Sequence, residues 1–365
     1  MINIFAPTST SNPFFISANF TAPHKGAAER RFDKVGSKLK RGKCGAKKGP
    51  SAPRWAYKTA QVSGIQRGSG VKYDGTGEND VSDKPGWPGS LPNLNDCDRK
   101  RIKKSTKLRA ASLIATDAEI ARIVNTLKAT GQWDNTLFLF WSDNGFFQGE
   151  HNRKGGKGVL LEPSIRVPML FKLPGGVKAG VHDVLGRNFW NGNVVYAPAD
   201  PTDLNATLLD YANTQPMNKA DGVSLRQDFN NSKKDDWNTL FGTETSIQGI
   251  GSGNAWPSDL NGKTDPRVAI GVRTAQYSYT KYLTGDEELY DLYSDPGQEN
   301  NLIRNGVVPL DYLITVNNLR NQWNLSYDCV GVNKCRASVN TDSPNELRMF
   351  TKKWYSDMSQ MYDSW

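Results

Sequence analysis

The 365-residue sequence predicts an α/β protein built on a mostly parallel sheet, followed by a small C-terminal α+β subdomain. Three observations lead there. The amphipathic stretch Leu108 to Thr130 runs into the apolar segment Leu137-Phe138-Leu139-Phe140-Trp141, as a helix followed by a buried strand would. The alternation repeats in a second strand-like run, Val167 to Phe171, and a second helix-like run, Thr202 to Asn213. From Arg267 the pattern changes to short runs, Val268 to Arg273, Tyr277 to Leu283 and Glu288 to Tyr293, which read as antiparallel strands.

In chain order, Pro13 to Phe20 reads as a short buried strand that enters the loop Thr21-Ala22-Pro23-His24. Residues 25 to 107 are rich in Gly, Pro, Lys and Asp and read as long loops with one short helix at most. In the helix Leu108 to Thr130, Leu113, Ile120, Val124 and Leu127 fall on one face, and Gly131 stands where a C-cap glycine belongs. The strand Thr136 to Ser142 then delivers Asp143-Asn144-Gly145. The strand Val167 to Phe171 is stopped by Pro174-Gly175-Gly176, and Leu204, Leu208, Leu209 and Tyr211 give the helix after Thr202 its apolar face. Leu310 to Trp323 offers a last helix. The expected divisions are a catalytic body at 1–229, a linker or surface loop at 230–265, an antiparallel-sheet subdomain at 266–345 and a tail at 346–365.

The net charge of +9 is concentrated locally. Lys25 to Arg54 holds eleven Lys/Arg residues against Glu29 and Asp33, and a second cluster runs Arg99, Lys100, Arg101, Lys103, Lys104, Lys107, Arg109. Such runs attract a polyanion, nucleic acid or sulfated polysaccharide, or simply keep a loop solvated. No zinc-finger or RNA-binding signature accompanies them, so nucleic acid is the weaker partner. No stretch is long and apolar enough to span a bilayer, and Met1 to Thr10 lacks the pattern of a signal peptide. None of the four cysteines forms a Cys-x-x-Cys pair; Cys329 and Cys335 are close enough to close a disulfide loop, which implies an oxidising compartment. Glycosylation triplets at Asn19, Asn205, Asn230 and Asn324 fit a secreted or lysosomal protein.

The chemistry gathers behind the strand ending at Ser142. Asp143 and Asn144 offer hard oxygens of the kind Ca²⁺ or Mg²⁺ takes; alone, Asp-Asn-Gly is equally a tight turn. Lys157 lies between two glycines, where an ammonium can meet a tetrahedral oxyanion or simply face solvent. His24 can give a proton to an ester oxygen, or bond to backbone. His151 carries the same two readings, and Arg166 is expected to brace the loop through Glu162 or Glu150. A cation beside an oxyanion suits sulfate or phosphate esters.

Taken together, SDNGFFQGEHNRKGGKGVLLEPSIRVP resembles the sulfatase family, whose members carry Ser-Asp-Asn-Gly, Gly-Glu-His, Gly-Lys-Gly, a Glu and Arg-Val-Pro in this order. PFFISANFTAPH, VRTAQYSYTKYLTGDEELYDLYSDPGQENNL and DCVGVNKCR resemble further family segments, and NDVSDKPGW resembles the N-acetylglucosamine-6-sulfatase branch. The resemblance covers most of residues 13 to 340. It implies an alkaline-phosphatase-like sandwich with its N-terminal strands absent, and hydrolysis of a sulfate ester on a glycosaminoglycan or related sugar. It implies Ca²⁺ held by Asp143 and Asn144, Lys157 and His24 as catalytic contacts to the sulfate, and His151 as a further substrate contact. The family's Cys-x-Pro-Ser-Arg, source of its formylglycine nucleophile, is not in the sequence: Cys44 precedes Gly-Ala-Lys-Lys and Ser51 precedes Ala-Pro-Arg. The expectation is therefore a chain that starts after the first third of a sulfatase and is inactive alone. The alternatives are a non-catalytic sulfated-glycan binder and a phosphate-ester hydrolase of the same superfamily.

Overall fold

A computed structural model describes residues 13–24, 91–176, 201–214, 220–226, 269–326 (without 275 and 283) and 330–331, with short pieces at 34–35, 52–53, 56, 78, 80–85, 89 and 199. The expected linker at 230–265, the tail at 346–365, and Cys329 and Cys335 lie outside the described residues.

The first described pairing joins β1 (Lys34–Val35) to β2 (Ala52–Pro53), antiparallel. Helix α1 follows, Asp96–Ala129, starting well before the expected Leu108. Its start has a clear cause. The Asn95 side chain accepts from the Asp98 amide (3.0 Å), and Asp96 and Asp98 place negative charge on the first turn. Lys and Arg, which read as loop by their charge, are good helix formers. The buried face is also not the expected one. It runs Ile102, Thr106, Arg109, Ser112, Thr116, Ile123, Leu127, while Leu113 is 43% exposed. Ser112 and Thr116 suit this face because their hydroxyls donate to backbone carbonyls of the preceding turn. Gly131 ends the helix at φ +69°, with the Gln132 amide reaching back to the Leu127 carbonyl (2.9 Å).

Strand β3 (Phe138–Trp141) pairs antiparallel with β4 (Met169–Lys172), Phe138 opposite Lys172 and Trp141 opposite Met169. This corrects two expectations. Every pairing among the described strands is antiparallel, because the chain between β3 and β4 has only short helical turns, including α2 (Glu162–Ile165), and no long crossover helix. And β3 is half-exposed rather than buried, with Trp141 42% exposed. Pro13 to Phe20 is likewise not a strand; Phe15 is 76% exposed.

Helix α3 (Pro201–Tyr211) buries Leu204 and Ala206. The C-terminal meander β5 (Ala269–Arg273), β6 (Tyr277–Tyr282), β7 (Glu287–Asp291) is antiparallel as expected, followed by α4 (Leu313–Ser326). One sheet face packs Val272, Tyr279 and Leu289 against Val316 and Leu319 of α4. Tyr290, together with Leu292 just beyond β7, forms a second core with Phe147, Val159 and Leu161 of the β3–β4 connection. The sheet is thus the floor on which that connection rests. No described helix is long and apolar enough to cross a membrane.

Candidate functional site

The connection from Asp143 to Arg166 is held in shape by backbone contacts made within itself. The Gly145 amide donates to the Ser164 carbonyl (2.8 Å) and the Phe147 amide to the Gly156 carbonyl (2.9 Å). The Gly158 amide donates to the Ser164 hydroxyl (3.0 Å). Only glycine fits at 145, since a Cβ there would stand 2.2 Å from the Pro163 carbonyl oxygen. Asp143-Asn144 is thereby fixed against the α2 turn, and the Gly-Lys-Gly segment lies alongside.

The outcome at the tip is one contact between two expected site residues: Lys157 Nζ donates to Asn144 Oδ1 at 2.5 Å. Lys157 and Asp143 are exposed and Asn144 is half-buried, so the group faces solvent. Beneath it Arg153, 5% exposed, stacks on the Phe147 ring (4.6 Å) and donates to the Lys157 carbonyl (3.4 Å). Burial pushes the Arg153 pKa down to about 10, still high enough to keep it cationic at neutral pH.

Asp143 and Asn144 supply oxygens of the right type for Ca²⁺, which takes roughly six to eight of them. Among the described residues no group of three or more His, Cys, Asp or Glu could hold a metal, so these residues do not by themselves form a complete cation site.

His24 lies on an exposed turn, its amide donating to the Thr21 carbonyl (2.8 Å). A residue that sequence reading passed over ties this turn to the loop. Arg109 of α1 donates to the Pro23 carbonyl (2.8 Å) and lays its guanidinium 3.7 Å from the centre of the Phe146 ring. The only sequence signals were an arginine in register with Ile102 and Thr106 and the paired aromatics after Asn144. Thr106 adds a second tie, its hydroxyl donating to Gln148 Oε1 (2.6 Å).

His151 is placed differently from the expectation of a substrate contact. It is 3% exposed, with Nδ1 2.5 Å from Glu78 Oε2. Glu78 also meets Lys84, which is itself buried, bonds Asp83 (3.2 Å) and donates to the Glu299 carbonyl (3.3 Å). Burial in this ion-paired cluster engages the imidazole within the protein. Arg166 does reach Glu162, at 4.0 Å, though the tighter partner of Glu162 is Arg273 (2.9 Å). Burial alone would raise the Glu162 carboxyl; Arg273 and Arg166 hold it below its ordinary value.

The sulfatase family model matches residues 2–214. An arylsulfatase of Volvox carteri is 30% identical over 249 residues, covering 64% of this chain and 36% of that protein. An N-acetylglucosamine-6-O-sulfatase of Bacteroides thetaiotaomicron is 29% identical over 196 residues, covering 53% and 31%. The chain therefore spans little more than a third of the length of these relatives. The crystal structure of yidJ from Bacteroides fragilis, a candidate sulfatase, superposes with a TM-score of 0.50 at 18% identity, covering 85% of this chain and 52% of the other. The fold is alkaline-phosphatase-like, and the chain belongs to the sulfatase family.

Proposed function

We propose that the Asp143–Lys157 loop is the sulfate-binding part of a sulfuric ester hydrolase acting on a sulfated sugar of the N-acetylglucosamine-6-sulfate or glycosaminoglycan type. The observation that carries this is the Lys157 ammonium seated on Asn144 Oδ1, in solvent, on a glycine-flanked loop braced from below. An ammonium there offsets charge developing on a sulfate oxygen as the ester bond breaks. His24 is assigned to the departing sugar oxygen, which needs a proton. Asp143 and Asn144 are the ligands this loop would give to Ca²⁺; the rest of the shell would come from outside the described residues, and no step here depends on it. The substrate class rests on the N-acetylglucosamine-6-O-sulfatase relative. A secreted or lysosomal setting is supported by Cys97, which is disulfide-bonded, and by exposed Asn19, Asn205 and Asn324.

The 365 residues hold no Cys-x-Pro-Ser-Arg, so no formylglycine nucleophile can arise within them. The polypeptide on its own is expected to bind the sulfated sugar without turning it over. The test is titration of the purified chain with N-acetylglucosamine-6-sulfate and with the phosphate analogue. Lys157→Ala should weaken the sulfated sugar about tenfold, the loss of one charge-assisted contact. Unchanged affinity in Lys157→Ala sinks the site. Tighter binding of the phosphate analogue turns the reading toward phosphate esters. Release of sulfate from a chromogenic aryl ester faster than in buffer overturns the inactivity.

A further inference from the structure

We infer that the outer flank of α1 is a docking surface for a sulfated polysaccharide chain, separate from the loop that meets the ester. The inference rests on the sugar-sulfatase reading above, to which it adds that the substrate is polymeric. Lys100, Lys103, Lys104 and Lys107 follow one another at helical spacing and share an arc of about 100°. Lys100 and Lys103 are exposed; Lys104 and Lys107 are half-buried. No acidic residue occurs between Asp98 and Asp117. The stripe extends roughly 10 Å along the axis, enough for a short run of sugar rings.

The structure also shows where the other basic run enters. Ala52 of β2, flanked in sequence by Lys47, Lys48 and Arg54, packs on Ala111, one turn beyond Lys107 on the same side of α1. β2 carries β1 with it, Lys34 opposite Pro53. Two basic runs far apart in the sequence therefore converge on one helix flank, as a binding surface requires and a merely solvated loop does not.

The opposite flank is occupied. Asp98 meets Lys154 (2.8 Å), Thr106 meets Gln148 and Arg109 stacks on Phe146. The lysines stand about one helix diameter, roughly 10 Å, from that contact. A monosaccharide at Lys157 would not reach them, but a polymer would. The stripe has no aromatic side chain on which a base could stack. Its helix begins at disulfide-bonded Cys97, which places it in an oxidising compartment, where extracellular polysaccharide is met rather than nucleic acid.

The experiment compares heparin, single-stranded RNA and N-acetylglucosamine-6-sulfate as probes of the full chain. Lys100→Glu/Lys103→Glu should weaken heparin about tenfold or more, with the effect shrinking as salt rises. Lys100→Gln/Lys103→Gln should shift it less in the same direction. The control Arg122→Glu/Lys128→Glu changes net charge equally near the far end of α1 and should leave heparin within about twofold. Equal losses in both Glu variants, unchanged heparin binding in the stripe variants, or RNA that binds as tightly and displaces heparin would each overturn the inference. Lys157→Ala separates the two readings. It should lose the monosaccharide and keep heparin; if it keeps both, the ester site falls while the stripe stands.

Discussion

At the scale of single residues, two side chains and one missing side chain decide whether the loop can act. Gly145 is the missing one. A methyl group at 145 would collide with the Pro163 carbonyl, which is backbone and cannot rotate aside. Gly145→Ala should cost roughly 1–3 kcal/mol or more, read by chemical denaturation, and the Asn144 and Lys157 amide resonances should shift together. A cost under a few tenths of a kcal/mol would show that the close approach is not real. Arg109 is the second case. It joins the His24 turn to the Phe146 ring, and burial holds its pKa below the ordinary value. Arg109→Ala removes a charge-assisted bond and a cation–π contact, together about 2–4 kcal/mol. If Arg109 positions His24, the variant should also alter the response of the His24 ring resonance to added sulfated sugar; a stability loss without that alteration would make Arg109 structural only. Lys157 is the third, and its contact with Asn144 is the part of the site most legible in the sequence. Both residues belong to one local motif, and a single loop brings them together. The ties to His24 and from His151 to Glu78 span 86 and 73 residues, and no local pattern announces them.

At the scale of elements, the chain was legible where burial is apolar and unreadable where it is polar. β5 to β7 alternate cleanly because each strand offers one face to α4, as Val272, Tyr279 and Leu289 do. Helix α1 hid its true face because Thr106, Arg109, Ser112 and Thr116 occupy it, each buried with a specific acceptor or stacking partner rather than by hydrophobicity. Its first three turns hid behind lysines that a periodicity search counts as loop. β3 looked buried because it is apolar, yet its only described partner is β4. The link between α2 and β5 shows the energetic counterpart. Glu162 is buried beside Arg273, and its amide donates to Gln298 Oε1 (2.6 Å). Arg273→Ala leaves a buried carboxylate with Arg166 at 4.0 Å as its remaining printed ion partner. The expected loss is about 3–5 kcal/mol. Replacing both members, Glu162→Gln with Arg273→Met, should cost less than Arg273→Ala alone; a larger loss in the double variant would contradict the ion-pair account.

At the scale of the whole molecule, one buried charge cluster joins three parts of the chain. The Asp80–Lys84 segment supplies Asp83 and Lys84, the site connection supplies His151, and β7 supplies Glu288. Glu78 lies between His151 and Lys84, and Asn301 ties Asp83 to the Leu289 amide through both of its side-chain atoms. Glu288 is the group under most stress. Burial pushes its pKa up from 4.5 to about 7, the Asp83 and Glu78 carboxylates add to the rise, and Lys84 and the Tyr282 hydroxyl restrain it. A carboxyl whose folded pKa lies above its unfolded one holds its proton more tightly when folded. Its contribution is therefore fully present below about pH 4.5 and is lost as pH rises to about 7. The difference amounts to at most about 3 kcal/mol. Glu288→Gln keeps an acceptor for Tyr282 and cannot ionise. Relative to wild type it should be near neutral in urea unfolding at pH 4.5 and more stable above pH 7, the gap opening between those values. The same cluster floors the loop that carries Lys157, so the variant should also flatten the pH dependence of sulfated-sugar binding between those limits. A variant destabilised equally at both ends of the range would mean that Glu288 is held ionised by Lys84 throughout. The coupling between the C-terminal sheet and the site loop would then be a fixed ion pair rather than a titrating one.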